Sequence, residues 1–266
     1  MNFIAKLAGV TDFFSAIKAF HIVRVLGGQD IKHRYKRSTL GPFWITISMA
    51  VMISTMGLVF GNLFKTPLYD FLPYLTLGLI IWGLISSCIS EGCDALILAE
   101  GIIKQLPVPL YTHVLRIVWR NIIIFLHNIV IYPLVLVAMG RPINMDALLA
   151  IPGILMLVLN MSWISMLLAL VCARFRDMAQ IISSIMQVFF YLTPVIWMPS
   201  LLTHRAGESL LNFNPFYHLV NVVRAPLLGE IPSQTSYIVT SLMLLIGFVI
   251  SFLALGKYKY RVAYWV

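Results

Sequence analysis

The stretch KHRYKRSTLGPFW, Lys32 to Trp44, marks where a polar segment gives way to a membrane-crossing one. Lys32, Arg34, Lys36 and Arg37 supply four cations with no acid among them, and Pro42 then opens a long apolar run. Lys and Arg clustered beside a first crossing stay on the cytoplasmic side. Pro42 suits a first helical turn, where the missing N–H costs nothing, and Phe43 with Trp44 suits the boundary between headgroup and hydrocarbon. The segment therefore predicts a cytoplasmic anchor feeding the first span. Even as a topogenic signal alone it orients the rest of the chain.

Bulk composition agrees. The 266 residues are 60% hydrophobic and only 11% charged, with a mean hydropathy of +0.92. A soluble domain is typically about half apolar, so the chain reads as an all-α integral membrane protein. Nineteen Lys and Arg stand against ten Asp and Glu. Long apolar runs leave no soluble basic face for nucleic acid, and anionic lipid with membrane orientation accounts for the excess. Met1 to Gly41 lacks the charged start, apolar centre and small-residue cleavage site of a secretory signal, so the first span is expected to remain as an uncleaved anchor. Cys88, Cys93 and Cys172 show neither metal nor disulfide spacing and are expected to be packing residues.

Residues 1–41 form the first region: an N-terminal interface helix and the basic anchor. Within Thr11 to Val23, Phe13, Ala16, Ile17, Phe20 and Val23 recur at helical intervals, opposite Thr11, Ser15 and Lys18. That pattern fits a helix lying in the cytoplasmic interface, although an ordinary packed helix also accommodates it because Arg24 falls on the apolar side. Residues 42–266 form the transmembrane region. Six apolar stretches, each near the roughly 20 residues that a bilayer core demands, run from Pro42 to Phe64, Phe71 to Ile97, Thr112 to Met139, Ala147 to Ala173, Met178 to Met198 and Ser236 to Leu255. An even number puts both termini on one face. With the N-terminus inside, fifteen of the nineteen Lys and Arg fall on the cytoplasmic side, and only Lys65, Arg141, Arg205 and Arg224 fall outside.

Two connections stand out. Glu100 to Tyr111, EGIIKQLPVPLY, carries Pro107 and Pro109, which end any helix continuing from span two. It reads as a compact cytoplasmic elbow, a partner surface or a plain turn. Between spans five and six, Pro199 to Gln234 is too apolar for an open loop and too short for two spans. Pro215 and Pro226 bracket a helical piece of about ten residues. A half-length apolar helix between breakers predicts a re-entrant or interfacial segment, a backbone tolerated at membrane depth only against protein or a water-filled cavity.

Intramembrane charge needs partners, since a centrally placed ion costs about 2.5 to 3.5 kcal/mol even on the lenient insertion scale. Glu91 and Asp94 near the end of span two face Arg116 and Arg120 near the start of span three. These four predict a structural cluster, with Glu91 to Arg120 as its leading pair. His127 is expected to bond its own helix rather than relay protons.

The chain has no GxxxxGK[ST] phosphate loop, no HExxH and no GxSxG. Energy from ATP must then arrive through another subunit. No metal site is expected, and an enzyme or an ion-driven carrier is disfavoured for want of acidic or histidine clusters. Aromatic surface is plentiful: Phe43, Trp44 and Phe60 in span one, Trp82 in span two, and Phe189, Phe190, Tyr191 and Trp197 in span five. Flat amphipathic rings can stack on sugar C–H faces without fixing a register. For any one of them taken singly, an interfacial aromatic belt is the better explanation.

RYKRSTLGPFW (Arg34 to Trp44), LTPVIWMP (Leu192 to Pro199), NPFYHLVNVVRAPLLG (Asn214 to Gly229) and the ending YRVAYWV (Tyr260 to Val266) together resemble the permease subunits of ABC type-2 polysaccharide exporters. The RSTLGPFW form looks most like the O-antigen, or lipopolysaccharide, exporters. The resemblance implies a homodimer of six-helix subunits in the bacterial inner membrane with both termini cytoplasmic, each docked to an ABC ATPase that binds ATP and Mg. It implies a channel between the two permeases for an undecaprenyl-diphosphate-linked polysaccharide. On this reading Arg34, Lys36 and Arg37 attract the lipid diphosphate, and the aromatics of spans one, two and five line the sugar path. Glu100, Lys104, Pro107 and Pro109 contact the ATPase, while Pro215, Phe216, Tyr217 and Arg224 belong to outer gate helices. Export of capsule, teichoic acid or a small hydrophobic compound, catalysis on lipid-linked sugars, and a membrane scaffold are the competing readings.

Overall fold

The computed structural model describes residues 3–36, 41, 43–142, 145–201 and 210–266, and every regular element among them is a helix. In chain order these are α1 (Phe3–Lys18), α2 (Phe20–Tyr35), α3 (Phe43–Phe64), α4 (Leu68–Cys93), α5 (Glu100–Gln105), α6 (Leu110–Asn128) and α7 (Ile131–Met139). A short 3-10 turn, Met145–Leu149, leads into α8 (Ala150–Arg174), followed by α9 (Met178–Leu192), α10 (Pro215–Leu227) and α11 (Gln234–Trp265). Five stretches are long and apolar enough to cross a membrane: Phe43–Phe64, Leu68–Cys93, Leu110–Met139, Met145–Arg174 and Gln234–Trp265. The chain is thus a multi-pass membrane protein.

The bundle is organised around α4. From Phe71 to Trp82 every residue except Leu72 is buried, as expected of a helix apolar all round. It packs against α3, α6, α7, α8, α9 and α10. A second apolar cluster, including Ala16, Tyr111, Met166, Leu170 and Leu255, joins α1, α6, α8 and α11. It lies at the end where Arg116, Arg174 and Lys259 gather.

Three expectations need revision. The stretch Thr11 to Val23 is divided between two helices, parted at Ala19. Ala16 and Val23 are fully buried and the Phe13 ring meets Tyr111, Phe248 and Phe252. A Cβ at Gly9 would overlap the carbonyl of Phe252. Close backbone approach packs one face of α1 against α11, as the competing reading has it, while Phe14 and Ile17 stay exposed on the other. Span two is shifted: its helix begins at Leu68 and ends at Cys93, and residues 94–99 form turns. The elbow keeps a short helix that stops at Gln105, two residues before Pro107.

The third revision concerns Met178 to Met198. Its helix has 15 residues, about 22 Å at 1.5 Å per residue, short of a hydrocarbon core of about 30 Å. Thr193 is extended, with ψ 135°, as the residue before a proline prefers to be, and Pro194 follows. A proline also divides the third crossing. Pro133 cannot donate to Ile129 one turn back, and α6 and α7 are parted at residues 129–130.

Candidate functional site

The charged centre lies where α2, α4 and α6 meet. Asp30 on α2 accepts from Arg116 Nε at 2.7 Å and again from Arg116 Nη2, a two-pronged pairing. Arg120, one turn on, donates to Asp30 at 3.1 Å and to Glu91 at 2.7 Å. Asn121 Nδ2 donates to the same Glu91 oxygen at 2.6 Å. Two cations and two acids are thereby neutralised together, and three helices are tied at one level. Asp30 was not legible as a member, although it is the sole acid in FHIVRVLGGQDIKHRY. Asp94 stands apart: it is exposed, caps the end of α4 through its backbone N–H, and forms no ion pair among the described residues. Beside the cluster, a cavity of about 310 Å³ between α3, α4 and α6 carries Glu91, Asn121 and Asn128 on its polar wall.

A second tie fixes the N-terminal helix. The Asp12 side chain is fully buried and holds Lys259 Nζ at 2.6 Å, while its other oxygen accepts the Tyr111 N–H at 2.9 Å. That N–H is one of the four orphan donors of the first turn of α6, where a negative charge also meets the favourable end of the helix dipole. Sequence reasoning passed over Asp12 because its partners lie 99 and 247 positions away.

On α5, Lys104 lies 2.6 Å from Glu100, and its ammonium holds the Glu100 carboxyl below the usual carboxylate range. No residue of α5 is fully buried: Ile103 packs partly on the second apolar cluster, while Glu100, Gly101, Lys104 and Gln105 are exposed. Pro107 sits in the extended linker and Pro109 at the start of α6, with φ −55° and ψ 134°.

Helix α10 is stitched in from several sides. Asn214 caps it, its Oδ1 accepting the N–H of Phe216 at 3.0 Å and of Tyr217 at 3.3 Å, and Pro215 occupies the first turn. The Asn214 amide also donates to Thr193 Oγ1 at 3.0 Å. Arg224, expected on the outer side within the gate helices, is 2% exposed. Its guanidinium carbon lies 3.9 Å from the centre of the Tyr74 ring, and Nη1 donates to the Pro194 carbonyl at 2.6 Å. Tyr74 Oη donates to that same carbonyl at 3.0 Å. His218 lies 3.0 Å from Ser236 Oγ and 2.9 Å from Asn212 O, and Tyr132 Oη bonds Leu227 O. Pro226 lies inside the last turn instead of ending the helix. A Cβ at Gly153 would collide with the Val222 carbonyl, so α8 and α10 touch backbone to backbone.

The aromatic candidates fall into separate groups. Phe43 and Trp44 are 68% and 55% exposed at the start of α3. Phe60 stacks on Phe64 at 5.6 Å near the other end. Trp82 is buried between Phe190, at 5.8 Å, and Phe216, at 5.7 Å, and Phe189 adds to Phe216 at 4.8 Å. That places Trp82 in the subunit core. Tyr191 is exposed, and Trp197 Nε1 donates to its carbonyl at 3.0 Å. Of the anchor cations, Lys36 is exposed at the end of α2; Arg37 and the side chain of Arg34 lie outside the described residues.

Among the described residues, α3 and α9 leave most of their surface uncovered within the subunit. α3 buries only Ile53, Gly57 and Gly61, and α9 only Ile182 and Met186. Both carry polar rungs there: Ser48, Thr55 and Asn62 at heptad spacing on α3, and Gln180, Ser184 and Gln187 on α9, all at least partly exposed. His127 Nδ1 lies 2.7 Å from the Ile123 carbonyl on its own helix. The three cysteines are buried and free, and no metal-binding group occurs among the described residues.

Comparison with known proteins bears on these surfaces. A family model described as ABC-2 type transporter matches residues 22–228. An O-antigen export system permease protein RfbA of Klebsiella pneumoniae is 23% identical over 248 residues, covering 92% of this chain and 94% of its own. A second one from the same organism is 22% identical over 248 residues, with the same shares. The protein of that name from Myxococcus xanthus is 22% identical over 199 residues, 74% of this chain and 76% of its own.

Proposed function

Because this chain belongs to the ABC-2 type transporter family, we propose that it is the permease subunit of an ATP-driven exporter of O-antigen polysaccharide carried on undecaprenyl diphosphate. The observation that carries the reading is its near full-length similarity to O-antigen export permeases. Two copies, each bound to an ABC ATPase, enclose the path in the bacterial inner membrane. The open faces of α3 and α9 support that arrangement, because their polar rungs are costly against lipid and useful against sugar hydroxyls. α9 with residues 193–198 supplies the sixth crossing, which returns the C-terminus to the cytoplasmic side with the N-terminus.

In this account the lipid diphosphate gathers at Arg34, Lys36 and Arg37, where clustered cations favour paired phosphates. The polymer then slides past exposed rings such as Trp44 and Tyr191. α5 is the contact for the ATPase, and its displacement reaches the crossings through α6, to which α2 and α4 are tied by Arg116 and Arg120. α10, wedged against α4, α8 and α11, is the outer cap, re-entrant from the far side. Partner subunits supply the ATP and Mg chemistry.

Deletion of the gene followed by fractionation tests the proposal. Undecaprenyl-linked polymer should accumulate at the inner membrane while surface O-antigen disappears. Surface O-antigen at wild-type levels would rule the reading out.

A further inference from the structure

At the cation-rich end of the bundle a groove of about 340 Å³ runs between α8 and α11. Its inner wall is hydrocarbon: Leu167, Leu170 and Val171 from α8 and Ala254 from α11. Its mouth is different. The Arg174 guanidinium lies 5.1 Å from the centre of the Phe175 ring and 5.4 Å from that of Trp265, and Tyr258 stands 5.4 Å from Trp265. Arg174 is exposed and forms no ion pair among the described residues. Asp177, three residues on, is also exposed; it stands at the N-cap position of α9 without a side-chain cap bond and is not part of the groove's lining.

An apolar slot with an aromatic-framed cation at its rim has the layout of a phospholipid: hydrocarbon inward, phosphate at the headgroup level. Tyr and Trp favour that level, and basic pockets between crossings attract anionic headgroups. We propose that this groove holds one acyl chain of an anionic phospholipid, with its phosphate on Arg174. The lipid thereby joins the C-terminal turns of α11 to the end of α8. Charge complementarity selects the occupant, since the exposed guanidinium beside two rings has no carboxylate partner among the described residues. A zwitterionic lipid fills the same slot through its acyl chain alone, because its phosphate is already neutralised by its own ammonium.

Trp265 is the built-in reporter. The intact transporter is reconstituted in phosphatidylcholine vesicles containing phosphatidylglycerol brominated on its acyl chains, and the fluorescence lost in wild type but not in Trp265→Phe is the signal from this groove. Quenching by brominated phosphatidylglycerol should exceed that by brominated phosphatidylcholine at least threefold at equal mole fraction. Arg174→Gln should abolish the preference while leaving quenching by brominated phosphatidylcholine unchanged, which shows that the variant is folded; Arg174→Lys should retain part of it. Equal quenching by the two lipids in wild type overturns the proposal. So does displacement of the brominated lipid by a tenfold smaller amount of polyprenyl diphosphate, which would give the groove to the carrier lipid instead.

Discussion

Tyr74 and Arg224 offer the most decisive perturbation of the fold. Both donate to the Pro194 carbonyl, and the guanidinium sits on the Tyr74 ring. Tyr74→Leu removes a hydrogen bond worth about 1 kcal/mol and a desolvated cation–π contact worth about 2 kcal/mol. It also strands a buried cation, so the expected loss is at least about 3 kcal/mol. Arg224→Met removes the same contact but relieves the burial of charge, whose cost can match the gain. It should therefore destabilise less than Tyr74→Leu. In the Arg224→Met background, Tyr74→Leu should cost only about 1 kcal/mol plus its packing loss, leaving a coupling energy of about 2 kcal/mol. Reversible unfolding of the four proteins in mixed micelles with rising SDS measures that coupling. A value under about 0.5 kcal/mol, the range of independent sites, would refute the role of Arg224 as the anchor of α10.

Other expectations arise from the same contacts. Glu91→Arg and Arg120→Glu should each lower folded yield in the membrane, and the double reversal should recover it only partly, because Arg120 also serves Asp30; full recovery would mean that Asp30 contributes nothing. Gly153→Leu should unseat α10, lowering the melting temperature and export together, whereas Gly28→Ala, which meets nothing within 4 Å, should leave both unchanged. Neutralising Arg34, Lys36 and Arg37 together should leave insertion intact and reduce export at least tenfold; unchanged export would remove them from the lipid diphosphate site. Glu100, with its carboxyl held low by Lys104, stays ionised as pH falls from 8 to 6. The contribution of this pair is lost only below the ordinary glutamate range, and complex formation with the ATPase should be flat over that window.

Much of the architecture was legible because crossing a bilayer demands long apolar runs, and α3, α4, α8 and α11 announce themselves by length. α9 did not. Its apolar run continues to Met198, and composition cannot register that Thr193 before Pro194 turns extended and ends the helix. The Glu91 to Arg120 contact was readable because antiparallel neighbours joined by a short elbow bring those levels together. Asp30 was not, since its pairing with Arg116 spans 86 positions and depends on α2 lying along α6. The burial of Arg224 went unread for a related reason: a helix between two breakers can be seen in the sequence, but the Tyr74 ring and the Pro194 carbonyl that make this cation core lie 150 and 30 positions away. Pro215 was legible as the start of α10, whereas Asn214, whose side chain caps that helix, was passed over although a capping residue before a proline is a readable signal.

Reconstitution tests the account at its centre. Vesicles containing the purified permease, with lipid-linked O-antigen on the outer leaflet, should move polymer into the lumen only when the ABC ATPase and ATP are both supplied. Polymer reaching the lumen with the permease alone, at a rate independent of ATP, would contradict it.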